Sequence, residues 1–117
     1  MTAGAPEHLL FVYGSLKRDQ ANHAQLGGAR FVGLARTRAA FSLRMIDGYP
    51  ALVPGQLSVR GELYRIATGD LKLLDEFEGT GYRRQEIELE TGAQVLGYMA
   101  VAPNAGVPHP TDEWPSP

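Results

Sequence analysis

The sequence predicts an α+β fold, a small mixed and mostly antiparallel β-barrel with flanking short helices. Three observations carry this. Short apolar runs bounded by Gly, Pro and Asp recur along the chain, as strands between turns do. Helical periodicity is confined to Thr68–Gly79 and, more briefly, to Asp19–Leu26. One strand candidate is apolar on both faces, so both need cover. Such a pattern suits a sheet curled into a small barrel.

The elements follow in order. Residues 1–7 read as a loose leader. Leu9-Leu10-Phe11-Val12-Tyr13 is apolar throughout, too short for a helix, and ended by Gly14, so it reads as a buried strand. Asp19–Leu26 forms a short helix stopped by Gly27-Gly28. Phe31–Ile46 supplies two strands or one long bent strand. Asp47-Gly48-Tyr49-Pro50 has turn chemistry, and Val53-Pro54-Gly55 is a second break. Val59–Ile66 is the strand with two apolar faces. Thr68 is placed to cap the next helix, Asp70 complements its positive end, and Gly79 ends it. In Gln85–Glu90, Ile87 and Leu89 alternate with Glu86, Glu88 and Glu90, giving a strand with one wet face. Thr91-Gly92-Ala93 turns into Val95–Val101 to close a hairpin. From Pro103 onward the prolines predict a tail without regular structure, pinned to the body by Trp114. The whole, residues 1–117, is expected to form one domain with its body at about 8–102.

Composition bounds the function. A chain of 117 residues buries roughly 65% of its unfolded surface, enough for one core. The formal net charge is -2 and no basic stripe occurs, so no nucleic-acid partner is expected. There is no cysteine, which excludes disulfides, thiolate nucleophiles and iron–sulfur clusters. Its absence suits a reducing cytoplasm, the expected location. The N-terminus lacks the pattern of a secretory signal, and no apolar run nears the roughly 20 residues of a membrane span. No membrane partner is expected. His8, His23 and His109 are too scattered for a metal site.

Two segments carry candidate chemistry. After the first strand, Tyr13-Gly14-Ser15-Leu16 is a tight loop whose glycine lets a ligand approach main-chain N–H groups, and successive N–H groups cradle small anions. The second is Leu74-Asp75-Glu76-Phe77-Glu78. On a wheel of about 100° per residue, Leu71, Leu73, Leu74 and Phe77 make the apolar face. Glu78 follows Leu71 by seven positions and Leu74 by four, at the edge of that face. Burial there raises a carboxylate's pKa toward neutrality, as an acid–base catalyst at physiological pH needs. The competing expectation is that Glu78 frays outward and pairs with Arg83 or Arg84.

These residues, together with Asn22-His23, Gly48-Tyr49-Pro50-Ala51-Leu52-Val53, Gly61-Glu62-Leu63-Tyr64, Tyr82 and Arg84, occur in an order that resembles the γ-glutamylcyclotransferase-like superfamily, which includes the γ-glutamylamine cyclotransferases. The resemblance spans residues 9 to about 101. It implies a small mixed barrel and release of 5-oxoproline from a γ-glutamyl amine or amino acid, without metal or cofactor. It places substrate binding at Tyr13, Gly14, Ser15 and Leu16, and the catalytic glutamate at Glu78, with Tyr82 following. Tyr13 or Tyr82 is expected to hydrogen-bond the substrate carboxylate or the developing oxyanion. The chain departs from many members in its short C-terminal segment and in the single aromatic of Gly97-Tyr98-Met99-Ala100.

Other residues carry smaller expectations. Tyr49 and Pro50 form part of the pocket wall or an ordinary turn. Asn22 ties the loop to the short helix. Glu62, in a strand near Gly61, lines the pocket or, as the favoured expectation, is a solvated strand glutamate, and Arg83-Arg84 is expected to be a solvated pair. A Ser15 nucleophile with His23 as base is disfavoured, because Leu16-Lys17 follows the serine where a nucleophile elbow needs glycine. The alternative function is a non-catalytic domain that binds a small amino-acid-like ligand or a protein partner in the same pocket. The expected partner is a small γ-glutamyl compound, and the expected state a monomer or weak homodimer.

Overall fold

The computed structural model describes residues 6–116. Its elements are β1 (Glu7–Val12), a 3₁₀ turn (His23–Leu26), β2 (Arg30–Arg36), β3 (Phe41–Ile46), β4 (Tyr49–Pro54), β5 (Arg60–Ala67), α1 (Thr68–Glu78), β6 (Tyr82–Glu88), β7 (Gln94–Ala100) and β8 (Val107–Pro108). The architecture is α+β, one mixed sheet with one helix. The strand order is β2-β5-β1-β7-β4-β3-β8, and β6 pairs with β7 beside that path. Only the β1–β7 and β4–β7 contacts are parallel. The sheet curls without closing. A single bridge, Thr37 to Leu89, links the chain beyond β2 to the chain beyond β6.

β1 explains its own sequence. It lies between β5 and β7, and its side chains alternate between two apolar clusters. Leu10 and Val12 pack with Tyr64, Ile66, Leu71, Leu74 and Tyr98 on the helix side. Phe11 and Tyr13 pack with Leu43, Leu52, Val59, Ile87 and Met99 on the other. A strand covered on both faces has no wet positions, hence the unbroken apolar run. Each such buried Leu or Ile stabilises the fold by roughly 1.5–3 kcal/mol. On β5, α1 covers the face of Tyr64 and Ile66, while Arg65 between them is exposed on the other.

Several expectations change. Most of the leader, residues 1–5, lies outside the described residues, and Glu7 already pairs with Ala67. Phe31–Ile46 is two strands, with a bulge between Phe31 and Gly33. The helix expected over Asp19–Leu26 shrinks to one 3₁₀ turn: Asp19 takes a left-handed φ of 66°, and the N–H groups of Gln20, His23 and Gln25 bond three residues back, in turns that tighten the chain beyond an α-helix. Tyr49-Pro50 is not the turn. Asp47 and Gly48 make it with positive φ, and Tyr49 and Pro50 open β4. Thr68 is the first helical residue and not the cap. Ala67 is still paired in the sheet when the helix begins, which leaves no linker for a capping side chain. Thr68 Oγ1 instead donates to the Pro6 carbonyl at 3.2 Å and meets His8 Nε2 at 2.9 Å. Leu73, assigned to the apolar face, is 63% exposed. Gly79 ends the helix at φ 73°, its N–H bonded to the Asp75 carbonyl. Trp114 packs against the second cluster, as the tail was expected to do, although Val107–Pro108 adds a short strand to β3.

Candidate functional site

The sheet brings the end of β1 beside the start of β4, the last turn of α1 and the middle of β7. Between them lies a cavity of about 300 Å³. Phe11, Val12 and the Tyr13–Leu16 loop line one side, with Asn22 behind the loop. Tyr49 and Pro50 of β4, Phe77 and Glu78 of α1, Tyr82 of β6 and Tyr98 of β7 complete it. All eight residues singled out from the sequence therefore share one cavity: Tyr13, Gly14, Ser15, Leu16, Tyr49, Pro50, Glu78 and Tyr82.

The loop is held from several directions. Lys17 N–H donates to the Gly14 carbonyl at 3.0 Å, and Asn22 N–H to the Ser15 carbonyl at 2.9 Å. Asn22 Nδ2 donates to Ser15 Oγ at 2.9 Å. His23 Nδ1 meets the Leu16 carbonyl at 2.9 Å, so its bonded partner is not Ser15. Among the described residues, the N–H groups of Gly14, Ser15 and Leu16 have no backbone acceptor. Successive N–H groups without a backbone acceptor, on a loop that lines a cavity, are the kind of arrangement that can receive a small anion. Gly14 serves by lacking a side chain, since an added Cβ would lie 2.6 Å from Pro50 Cγ. Its φ is not in the left-handed region, so it is the missing side chain and not an unusual backbone angle that the loop uses.

The tyrosines divide by partner. Tyr13 is buried; its hydroxyl donates to the Tyr98 carbonyl at 2.8 Å and accepts from Leu52 N–H at 2.9 Å. Burial pushes its pKa far above the usual phenol value. Its one proton is engaged, so Tyr13 ties three strands together and is not the free donor expected. Tyr98 donates to Asp75 Oδ1 at 2.6 Å, and Asp75 pairs with Arg84 Nη1 at 2.9 Å. Tyr82 makes only a long contact, 3.4 Å, to the Pro50 carbonyl. Burial, then the nearby charges of Glu78 and Asp47, raise its pKa.

Glu78 is the one charged side chain in the lining. Arg84, a partner considered for it, is taken by Asp75. Among the described residues no cation lies within 4 Å of the Glu78 carboxylate. Burial without a compensating partner pushes its pKa up from 4.5 to about 7. A carboxylate so poised exchanges protons in either direction near neutral pH.

Glu62 corrects its expectation. It is 9% exposed and does not line this cavity. Sequence reasoning gave no role to Tyr98 or Phe77 in the wall. Tyr98 had a signal, as the lone aromatic in an apolar strand. Phe77 was assigned to the core, yet it is 43% exposed at the cavity. Among the described residues no helix is long and apolar enough to cross a membrane, and no three His, Cys, Asp or Glu side chains gather as metal ligands would.

Comparison with known proteins bears on the chemistry. Residues 10–116 match the family described as gamma-glutamyl cyclotransferase, AIG2-like. A Vibrio cholerae protein provisionally named a γ-glutamylcyclotransferase is 38% identical over 88 residues, covering 74% of this chain and 76% of the relative. Gamma-glutamylaminecyclotransferase A of Danio rerio is 38% identical over 93 residues, covering 69% of this chain and 58% of the relative, so the match spans less than two thirds of that protein. The crystal structure of an AIG2-like protein from Mus musculus superposes with a TM-score of 0.77 at 31% identity, covering 92% of this chain and 88% of that one.

Proposed function

The chain belongs to the gamma-glutamyl cyclotransferase, AIG2-like family, and from that premise we propose that it converts a γ-glutamyl amine or γ-glutamyl amino acid to 5-oxoproline and the free amine, with Glu78 as general acid and base. The observation that carries this is the Glu78 carboxylate, without a cation partner among the described residues and with its pKa pushed up to about 7, lining the same cavity as the Gly14–Leu16 loop, whose N–H groups have no backbone acceptor among those residues.

The substrate's α-carboxylate lies against the N–H groups of Gly14, Ser15 and Leu16. No lysine, arginine or histidine lines the cavity, so these donors are the anion's partners. Held there, the glutamyl chain curls so that its own α-amine faces its γ-carbonyl. The reaction is then intramolecular, and positioning supplies much of the acceleration. The amine nitrogen forms a bond to the γ-carbon while Glu78 takes one of its protons. The tetrahedral centre collapses, the amide C–N bond breaks, and Glu78 returns the proton to the departing nitrogen. Tyr82 is the phenol free to donate to the oxyanion, because the Tyr13 proton is committed to the Tyr98 carbonyl. Tyr49 and Pro50 line the same cavity, with Pro50 packed against Gly14.

The test is release of 5-oxoproline from a panel of γ-glutamyl amines and dipeptides. Turnover by the wild type and its loss in Glu78→Gln are expected. A Glu78→Gln variant as active as wild type overturns the mechanism. Binding of panel members without any turnover replaces it with a non-catalytic binding role for the same pocket.

A further inference from the structure

Glu62 sits outside the cavity, yet it touches the loop that forms the cavity's wall. On β5 it pairs with Val12, the last residue of β1 before the loop begins. Its carboxylate reaches the loop's far end. Oε1 accepts from the Arg18 N–H at 2.9 Å and from the Tyr64 hydroxyl at 2.9 Å, and Oε2 lies 3.7 Å from Arg18 Nε. The Arg18 guanidinium covers the Phe31 ring at 3.8 Å, and that ring meets Tyr64 edge-on at 5.6 Å. Asp19, with φ 66°, turns the chain away immediately afterwards.

We propose that Glu62 is a positioning residue for substrate binding: its carboxylate pins the far end of the 13–18 loop, at Arg18, to the strand that already pairs with Val12 at the near end, and so holds the N–H groups of Gly14, Ser15 and Leu16 in the geometry that receives the substrate's carboxylate. The inference rests on the proposed reaction for its ligand, but not for its mechanical content. A buried carboxylate is retained only where donors satisfy it, and here one donor is the loop's own backbone. Removing the acceptor leaves the Arg18 N–H and the Tyr64 hydroxyl without partners inside the fold. The loop's register on β5 is then set by Val12 alone. The loop grips the carboxylate and not the bonds that form and break, so most of its hold is common to ground and transition states, and only the part that aims the amine is specific to the reaction. Loosening it raises KM and leaves kcat largely intact.

The experiment compares Glu62→Ala, Glu62→Leu and Glu62→Gln in the full chain. Glu62→Leu keeps the buried volume without the acceptor and serves where Glu62→Ala does not fold. Glu62→Gln keeps Oε1 and loses only the partly exposed contact to Arg18 Nε, which is worth little. Two readouts are taken: KM and kcat for 5-oxoproline release, and hydrogen exchange of the Arg18 amide against the amides of β5. The expected result for Ala or Leu is a KM raised about tenfold or more with kcat within about threefold. Arg18 amide exchange is expected to be at least about tenfold faster while β5 is unchanged. Gln restores both. A folded Ala or Leu variant with wild-type KM and wild-type Arg18 exchange overturns the inference, as does a Gln variant no better than Leu. If even the wild type releases no 5-oxoproline, the proposed reaction fails, and the exchange measurement alone decides the loop clamp: faster exchange rescued by Gln supports it, unchanged exchange overturns it.

Discussion

The two walls of the cavity are built in opposite ways. The Tyr13–Arg18 wall is tied at almost every residue: Tyr13 to two strands, Gly14 to Lys17, Ser15 to Asn22, Leu16 to His23 and Arg18 to Glu62. The facing wall is the last turn of α1, where Asp75 is bonded to Tyr98 and Arg84, yet Glu78 three residues on has no cation partner among the described residues. Three carboxylates lie at or near one site, and their partners separate their roles. Glu62 and Asp75 are satisfied and hold structure. Glu78 is half-buried without a cation partner among the described residues, and burial pushes its pKa up to about 7.

The widest gap between the walls is expected in turnover. Glu78→Gln keeps the shape of the turn and removes the proposed proton carrier, so kcat is expected to fall by roughly 10²- to 10⁴-fold while the thermal unfolding profile stays cooperative. A fall below about threefold would erase the distinction between the walls.

The next effect concerns pH and stability. Glu78 has an ordinary value of 4.5 and a folded-state value of about 7, so the folded protein binds the proton more tightly than the unfolded chain. Stability contributed by this group therefore falls as pH rises from 4.5 to 7. The cost is absent below that window and complete above it. Glu78→Gln is expected to be more stable than wild type by about 1–3 kcal/mol at pH 8, and equal to it near pH 4, by denaturant titration at each pH. In the wild type, kcat/KM rises with pH through about 7 as the carboxylate becomes a base.

On the fixed wall, Tyr13→Phe leaves the buried Leu52 N–H and Tyr98 carbonyl without the phenol. A loss of about 1–3 kcal/mol is expected in the same unfolding measurement, at every pH below 9. If Tyr13 were instead the oxyanion donor, kcat would fall and stability would not. The smallest effect belongs to Arg84→Ala. Its ion pair with Asp75 is about one-third exposed on both sides, so stability changes by at most about 1 kcal/mol. A large pH-dependent change there would show that Arg84 also serves Glu78.

The order of strands and the helix was legible because each signal was local. The run Leu9–Tyr13, the alternation around Ile87 and Leu89, and the spacing of Leu71 and Leu74 depend on neighbours in sequence. β4 was missed because Pro50 and Pro54 read as breaks. Both stand at the ends of the strand, where a missing N–H is tolerated, while Ala51, Leu52 and Val53 are buried between them. Leu73 was misplaced because a periodic pattern fixes a stripe and not its width. Glu62 was misjudged because its donors, Arg18 N–H and Tyr64 OH, include one 44 residues away.

By itself the sequence determined the strand-rich α+β class, the loop after β1, a carboxylate at the edge of an apolar helix face, and a family resemblance. These need only the period of a strand or helix and the chemistry of individual side chains. Tertiary structure decided what Glu78, Glu62 and Tyr13 are. Desolvation, unpaired charge and a committed hydroxyl proton are properties of the groups that surround an atom, and here those groups arrive from strands distant in sequence.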